Sequence, residues 1–192
     1  MLIYKILLKK KMKKKILRDR YLKIRSSVKQ RLEKEKKICK NLISLNIDEK
    51  FVISGYYPIR NEVNIISYLK FLSKKKISIC LPSIFKEESH LLFKKWDIRK
   101  PLVKGKFNID EPLEEKYETP SILIVPILAF DKNKYRLGYG GGFYDRTIAF
   151  LEKKLKIKTV GVAFEEQKVD KVPIMKFDKK LDLIITENGI LE

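Results

Sequence analysis

The sequence predicts an α/β fold: three layers, a mostly parallel central sheet with helices on both of its faces, and a long basic helix at the N-terminus. Three observations predict it. Short, continuously apolar runs recur along the chain, as strands buried on both faces require. Segments with apolar residues at three- and four-residue steps lie between several of them, the βα alternation of a parallel sheet. The length, 192 residues, suits one ordinary domain with a core of its own.

In chain order, residues 13–46 read as one long helix or two joined ones, with Ile16, Leu17, Tyr21, Ile24, Val28 and Leu32 recurring among Lys, Arg and Glu. Phe51 to Tyr57 is an apolar strand ended by Pro58. Asn64 to Leu72 follows as a helix with Ile65, Ile66, Leu69 and Leu72 on one side. Ile77 to Leu81 is a second strand, ended by Pro82. His90 to Trp96 is a strand set antiparallel to its neighbour, because no helix precedes it. Trp96 to Pro120 reads as a long loop with three prolines, a kind of connection that often carries function. Ser121 to Val125 is a buried strand, again ended by proline, and Ala129 to Phe143 is the second long loop. A helix of about three turns then runs from Tyr144 to near Leu155. Thr159 to Phe164 and Leu181 to Thr186 complete the sheet. Ligands in such sheets sit beyond the carboxyl ends of the strands. The second loop and the 57–62 turn both fall there.

Formal net charge is +20, and residues 1–50 hold 18 Lys or Arg against 5 Asp or Glu, a surplus of 13. The excess is a basic helix. Such a helix suits nucleic acid or anionic lipid, and equally a solvated face in a lysine-rich protein, which is the reading we carry forward. No aromatic-interleaved RNA motif stands among the lysines. Cys39 and Cys80 lie far apart without metal-ligand spacing, so a reducing compartment is expected. The single histidine, His90, excludes a two-histidine metal site. Met1 to Leu8 is apolar but too short to span a bilayer, and its charges follow the apolar stretch, unlike those of a signal peptide. Met12 is a second candidate start. An untargeted cytoplasmic protein without a membrane or nucleic-acid partner is expected.

The most informative segment runs from Arg136 to Arg146 (RLGYGGGFYDR), with glycine at 138, 140, 141 and 142. Glycine permits positive φ and lets a ligand reach the backbone. Exposed amides at a helix N-terminus favour an anion. Arg136 and Arg146 bracket the loop as candidate phosphate clamps, and Asp145 adds a carboxylate of the kind a magnesium–nucleotide site uses. A glycine-rich surface turn would not need these flanking groups. No Gly-Lys-Ser or Gly-Lys-Thr closes the loop, and Phe143 stands where a dinucleotide fingerprint needs its third glycine, so P-loop kinases and Rossmann dehydrogenases are disfavoured.

This segment, after Val125-Pro126 and Phe130-Asp131, resembles the signature of the 5-formyltetrahydrofolate cyclo-ligase family, also called 5,10-methenyltetrahydrofolate synthetases. Four weaker matches occur in the right order: Lys14 to Arg18 (KKILR), Tyr57-Pro58 with Glu62, Gly161 to Gln167 (GVAFEEQ) before Val172-Pro173, and Asp178 with Leu181-Asp182 and Thr186-Glu187. The resemblance implies ATP-dependent closure of 5-formyltetrahydrofolate to 5,10-methenyltetrahydrofolate, with ADP and phosphate released and Mg2+ required. The γ-phosphate would pass to the formyl oxygen, and N10 would attack the activated carbon.

By the same resemblance ATP would be held by Lys14, Lys15, Ile16, Leu17, Arg18 and the loop Arg136, Leu137, Gly138, Tyr139, Gly140, Gly141, Gly142, Phe143 and Tyr144. Arg136, Tyr144 and Arg146 would be catalytic. Tyr57, Glu62, Trp96 and Tyr139 to Phe143 would receive the folate, and Asp145 and Asp178 the metal. Lys14 and Arg18, one helical turn apart, would point at the same phosphates. Each has a plainer reading: a pair in a lysine-rich helix, an acid opening a helix at Glu62, a core side chain at Trp96, a turn cap at Asp178. The chain departs from the family pattern at Lys134-Tyr135, where a glycine is usual, at Phe177 in place of a histidine, and at Asn64 in place of an acid. Residues 1–11 match nothing, so the expected organisation is an extension over 1–11 and one domain over 12–192, working as a monomer. The same fold serving as a basic RNA- or membrane-surface-binding protein, or as an ATP-using enzyme on another small anion, is the alternative.

Overall fold

The computed structural model describes residues 2–192, with side chains from Lys5 onward. Met1, the first residue of the expected extension, lies outside the described residues. Helices α1 (Leu2–Ser26), α2 (Arg31–Ile43), α3 (Ile66–Lys74) and α4 (Phe143–Leu151) are joined by strands β1 (Val52–Ser54), β2 (Ser78–Ser83), β3 (Leu92–Lys95), β4 (Leu102–Lys104), β5 (Asp110–Pro112), β6 (Ile122–Pro126), β7 (Ala129–Phe130), β8 (Arg136–Leu137), β9 (Lys158–Val162), β10 (Leu183–Thr186) and β11 (Gly189–Leu191). Seven strands form one sheet in the order β11-β10-β9-β6-β1-β2-β3. The inner five are parallel, and β3 and β11 close the edges antiparallel. The α/β class, the mostly parallel sheet and the long N-terminal helix are as the sequence predicts.

Period-two alternation carries the three layers. Ile122 and Ile124 of β6 enter the core cluster that Ile38, Leu42, Leu69 and Leu72 of α2 and α3 share, whereas Leu123 and Val125 enter the opposite one, with Ile148 and Leu151 of α4. Leu183 and Ile185 of β10 follow the first pair and Ile184 the second. Both faces being covered, these strands read as unbroken apolar runs.

Several elements differ from expectation. The basic segment takes the second of the two forms the sequence allows, helices α1 and α2 joined by a turn in which Gln30 takes a left-handed backbone (φ 50°), but α1 already begins at Leu2. Strand β2 runs through Pro82 to Ser83. The Ile79 carbonyl faces β3, where Trp96 N donates to it, and the Cys80 carbonyl faces Gly55 N beyond β1. Pro82 therefore turns its missing N–H to the side where β1 has already ended, so no ladder bond is lost. The expected loop 96–120 folds into the β4–β5 hairpin, and the loop 129–143 contains the short β7–β8 hairpin. Helix α4 stops at Leu151, and β11 was not foreseen.

Helix α1 docks beyond the carboxyl ends of the strands. Tyr21, Leu17, Leu22 and Ile24 pack against Leu128, Ala129, Leu137 and Val172. Asp131 fixes that platform: its fully buried carboxylate accepts the amides of Asn133 (2.9 Å), Tyr135 (3.2 Å) and Val172 (2.9 Å). Asp131→Ala leaves buried amides unanswered and should cost about 2–4 kcal/mol, read as a lower urea midpoint without a change of slope.

Candidate active site

Strands β1 and β6 are neighbours, yet the chain leaves them in opposite directions, towards β2 on one side and β9 on the other. A crevice opens where the order reverses. It is a cleft of about 510 Å³ lined by Lys11, Lys14 and Arg18 of α1, by Tyr56, Tyr57, Ile59 and Glu62 after β1, by Pro82, Ile84, Leu91 and Pro126, by Arg136 to Asp145, by Ile109 and Asp110 of the β4–β5 hairpin, and by Met175 and Asp178. Lys11, Lys14 and Arg18 recur at three and four residues, so α1 turns one cationic stripe to the cleft.

Lys14, Arg18, Arg136 and Arg146 each have a protein partner, whereas Lys11 is exposed. Lys14, 7% exposed, forms an ion pair with Asp178 Oδ2, which also accepts Met175 N (2.8 Å). Arg18 Nε donates to the Gly138 carbonyl (2.9 Å). Burial lowers the Arg18 guanidinium from its ordinary value, with Asp178 and Asp19 opposing; it remains charged at any working pH. Arg136 donates to Asp145 Oδ1 (2.9 Å) and to the Lys179 carbonyl (2.8 Å). Arg146 donates to the Ser89 and Gly141 carbonyls (2.9 and 2.7 Å). The two arginines, expected as phosphate clamps, brace the loop. The loop itself is bare and outward: Gly138, Tyr139, Gly140 and Gly141 are exposed, and Gly142, at φ 68°, is the residue before α4.

The opposite wall is aromatic and acidic. Glu62 is 5% exposed, and burial raises its carboxyl above the usual range, opposed by the Ile59 amide (3.1 Å) and then by Arg25. Burial, with the Glu62 charge behind it, pushes Tyr144 well up and Tyr139 up to about 12. Both phenols therefore keep their protons and serve as donors, not bases.

The structure brings together Lys14, Arg18, the loop 136–144, Tyr57, Glu62, Asp145 and Asp178. It does not bring Trp96, which is buried in the core beside α2 and α3 and donates to the Lys100 carbonyl (3.4 Å). Lys15 and Ile16 are exposed and absent from the cleft lining, and Leu17 packs under the β7–β8 platform. One helix cannot turn consecutive residues to one side. Lys11 and Tyr56 were missed. Lys11 continues the stripe of Lys14 and Arg18, a spacing visible in the sequence but hidden by the surrounding lysines.

A model of the 5-formyltetrahydrofolate cyclo-ligase family matches residues 10–187. The chain belongs to that family. It is 36% identical over 108 residues to the cyclo-ligase of Escherichia coli, covering 54% of this chain and 59% of that one, under two thirds of the relative's length. It is 33% identical over 140 residues to the cyclo-ligase of Haemophilus influenzae, covering 69% and 74%. Among solved structures it is similar to the 5,10-methenyltetrahydrofolate synthetase of Aquifex aeolicus, with TM-score 0.76, 30% identity and 92% and 91% of the two chains covered. The synthetase of Mycoplasma pneumoniae gives TM-score 0.74 and 25% identity over 91% and 98%.

The cyclo-ligase cleft also bears on magnesium. Among the described residues no group of three or more His, Cys, Asp or Glu could hold a metal. Asp145 and Asp178 each spend one oxygen on protein donors and keep the other without a protein hydrogen bond among the described residues. That donor set fits an ion held by one or two carboxylates and otherwise by phosphate and water.

Gly140, at φ +105°, sets the tolerance of the loop: an added Cβ would meet the Arg18 guanidinium at 3.1 Å. Gly140→Val should weaken Mg-ATP at least about tenfold, from backbone strain of 1–3 kcal/mol and displacement of Arg18. Calorimetry checks this, and circular dichroism should show the fold retained.

Proposed function

We propose that this chain closes 5-formyltetrahydrofolate to 5,10-methenyltetrahydrofolate at the expense of ATP, releasing ADP and phosphate. The observation that carries the reading is the shared loop. Residues 138–143 border both the cationic stripe of α1 and the Tyr57–Glu62 wall, so a triphosphate and a folate seated there meet across the same backbone. Lys14, Arg18 and the amides of the loop receive the triphosphate. A triphosphate offers Lys14 a more highly charged partner than Asp178. Tyr57 supplies an apolar face to the pterin, and Glu62 accepts from its amino-pyrimidinone edge. The formyl oxygen is a poor leaving group until phosphorylated. Transfer of the γ-phosphoryl to it breaks the bond to the β-phosphate oxygen. N10 then attacks the formyl carbon, and phosphate departs with the former formyl oxygen and takes up the proton that N10 loses. The protein's part is positioning and charge stabilisation. Arg136 and Arg146 hold the loop and spread positive charge around it, and Tyr144 offers a proton-bearing phenol. Asp145 and Asp178 would hold Mg2+, which when bound neutralises phosphate charge.

Two buried free thiols, Cys39 and Cys80, suit a reducing cytoplasmic compartment. Among the described residues no helix is long and apolar enough to cross a membrane. Neither nucleic acid nor a membrane is part of the reading.

The test is phosphate release from ATP with and without 5-formyltetrahydrofolate, with the methenyl product followed by its absorbance. Turnover should require the folate, fall to background with a chelator and return with magnesium. ATP hydrolysis indifferent to the folate, or none at all, would overturn the assignment. Glu62→Gln should raise the KM for folate on the order of tenfold and the KM for ATP by less than about twofold. Because burial raises the Glu62 carboxyl, its charged form is lost on acidification sooner than that of an ordinary carboxylate. The folate KM should therefore climb as pH falls through that raised value, and Glu62→Gln should flatten the profile.

A further inference from the structure

Tyr139 is the one residue of 138–142 with a side chain, and that side chain is held from two sides. Arg25, 1% exposed, sends one NH2 proton to the Arg60 carbonyl (2.7 Å) and the other to the Tyr139 hydroxyl. Its guanidinium carbon lies 5.4 Å from the Tyr139 ring centre, and that of Arg60 lies 5.2 Å from the same centre. Both are within cation–π range. Having accepted from Arg25, the hydroxyl keeps its own proton to donate, and the Glu62 carboxylate lies beside it. The turn on the other side is itself strained: Arg60 and Asn61 hold left-handed backbone at φ 46° and 60°. Such conformations persist where their surroundings hold them, and here Arg25 caps the Arg60 carbonyl while Arg31 caps those of Asn61 and Glu62 (2.6 and 2.8 Å). Arg25 does not line the cleft, and its Nε finds no acceptor among the described residues. A buried guanidinium with an unanswered donor costs stability; what it joins accounts for its presence.

We infer that Arg25 and Tyr139 form a latch through which the two ligand subsites sense each other. A folate seated against Glu62 fixes the 57–62 turn. The turn fixes Tyr139 through Arg25 and Arg60, and the glycine run is then held in the shape that receives the triphosphate. By linkage the triphosphate tightens the folate equally. The inference rests on the cyclo-ligase reading above. Arg25 acts through Tyr139 and is a positioning residue.

Titration calorimetry on the full chain, using magnesium with a β,γ-imido ATP analogue, reads the coupling directly. It is the ratio of analogue dissociation constants without and with saturating 5-formyltetrahydrofolate. The unsubstituted protein should bind the analogue on the order of 5–50-fold tighter with the folate present, within the range usual for coupled sites. Tyr139→Leu should bring the ratio to within about twofold of one. Circular dichroism should show its fold retained, since Tyr139 is 37% exposed. Tyr139→Phe, which keeps the ring between the guanidiniums and loses the hydroxyl, should fall between. Arg25→Lys should lower the ratio like Tyr139→Leu while leaving analogue affinity in the absence of folate near that of the unsubstituted protein. A ratio of one in the unsubstituted protein with both ligands bound overturns the latch and leaves the cyclo-ligase reading standing, as does an undiminished ratio in Tyr139→Leu. Failure of the unsubstituted protein to bind either ligand overturns that reading, and the latch with it.

Discussion

A run of glycines can offer its amides to a ligand only if something else holds its carbonyls. Here two arginines do so, and a third anchors the base of the loop. Arg18 reaches from α1 to Gly138, Arg146 reaches back from α4 to Gly141, and Arg136 ties the base of the loop to Asp145 and the 179 carbonyl. A guanidinium suits this work because its donors form a fixed fork and it stays charged. The loop gains shape without side chains of its own, and the space above its backbone stays open for phosphate. The bracing also brings positive charge to the cleft at no further cost in sequence.

Part of that charge is balanced before any ligand arrives. Lys14 lies against Asp178 and Arg136 against Asp145. Pairing lets these groups sit in a partly buried cleft without leaving a charge unanswered, the costly situation in a low-dielectric site. The opposite wall is built by desolvation. Glu62 and Tyr144 face a crevice closed by Tyr56, Leu91 and Phe143, and burial is the first cause of the shift in each. One half of the site is thus made from paired charge and the other from dry polar groups, with the glycine loop as their common border.

The mostly parallel sheet and the glycine loop were legible in the sequence because each rests on local pattern: unbroken apolar runs, helical spacing, glycine at defined positions. What was not legible depends on partners far along the chain. Pro82 reads as a strand end until it is known that β1 stops short of it. The β4–β5 hairpin lies in a segment whose charges and prolines hide a three-residue pairing. Trp96 reads equally as a ring platform or a core side chain, and only packing against α2 and α3 decides. Arg25 is one cation among many in its helix, and nothing local distinguishes it from its exposed neighbours. The family resemblance, taken residue by residue, drew in Lys15 and Ile16, which helical geometry turns away from the cleft that the loop lines.

Lys14 and Asp178 stand 164 residues apart in a chain of 192. During synthesis the lysine leaves the ribosome 164 residues ahead of its carboxylate partner. The nascent α1 therefore waits, basic and without that partner, until Asp178 emerges. Assembly of the cleft has a large loop to close, so a product cut short before Asp178 would carry the glycine loop and the basic stripe without the partner that seats them.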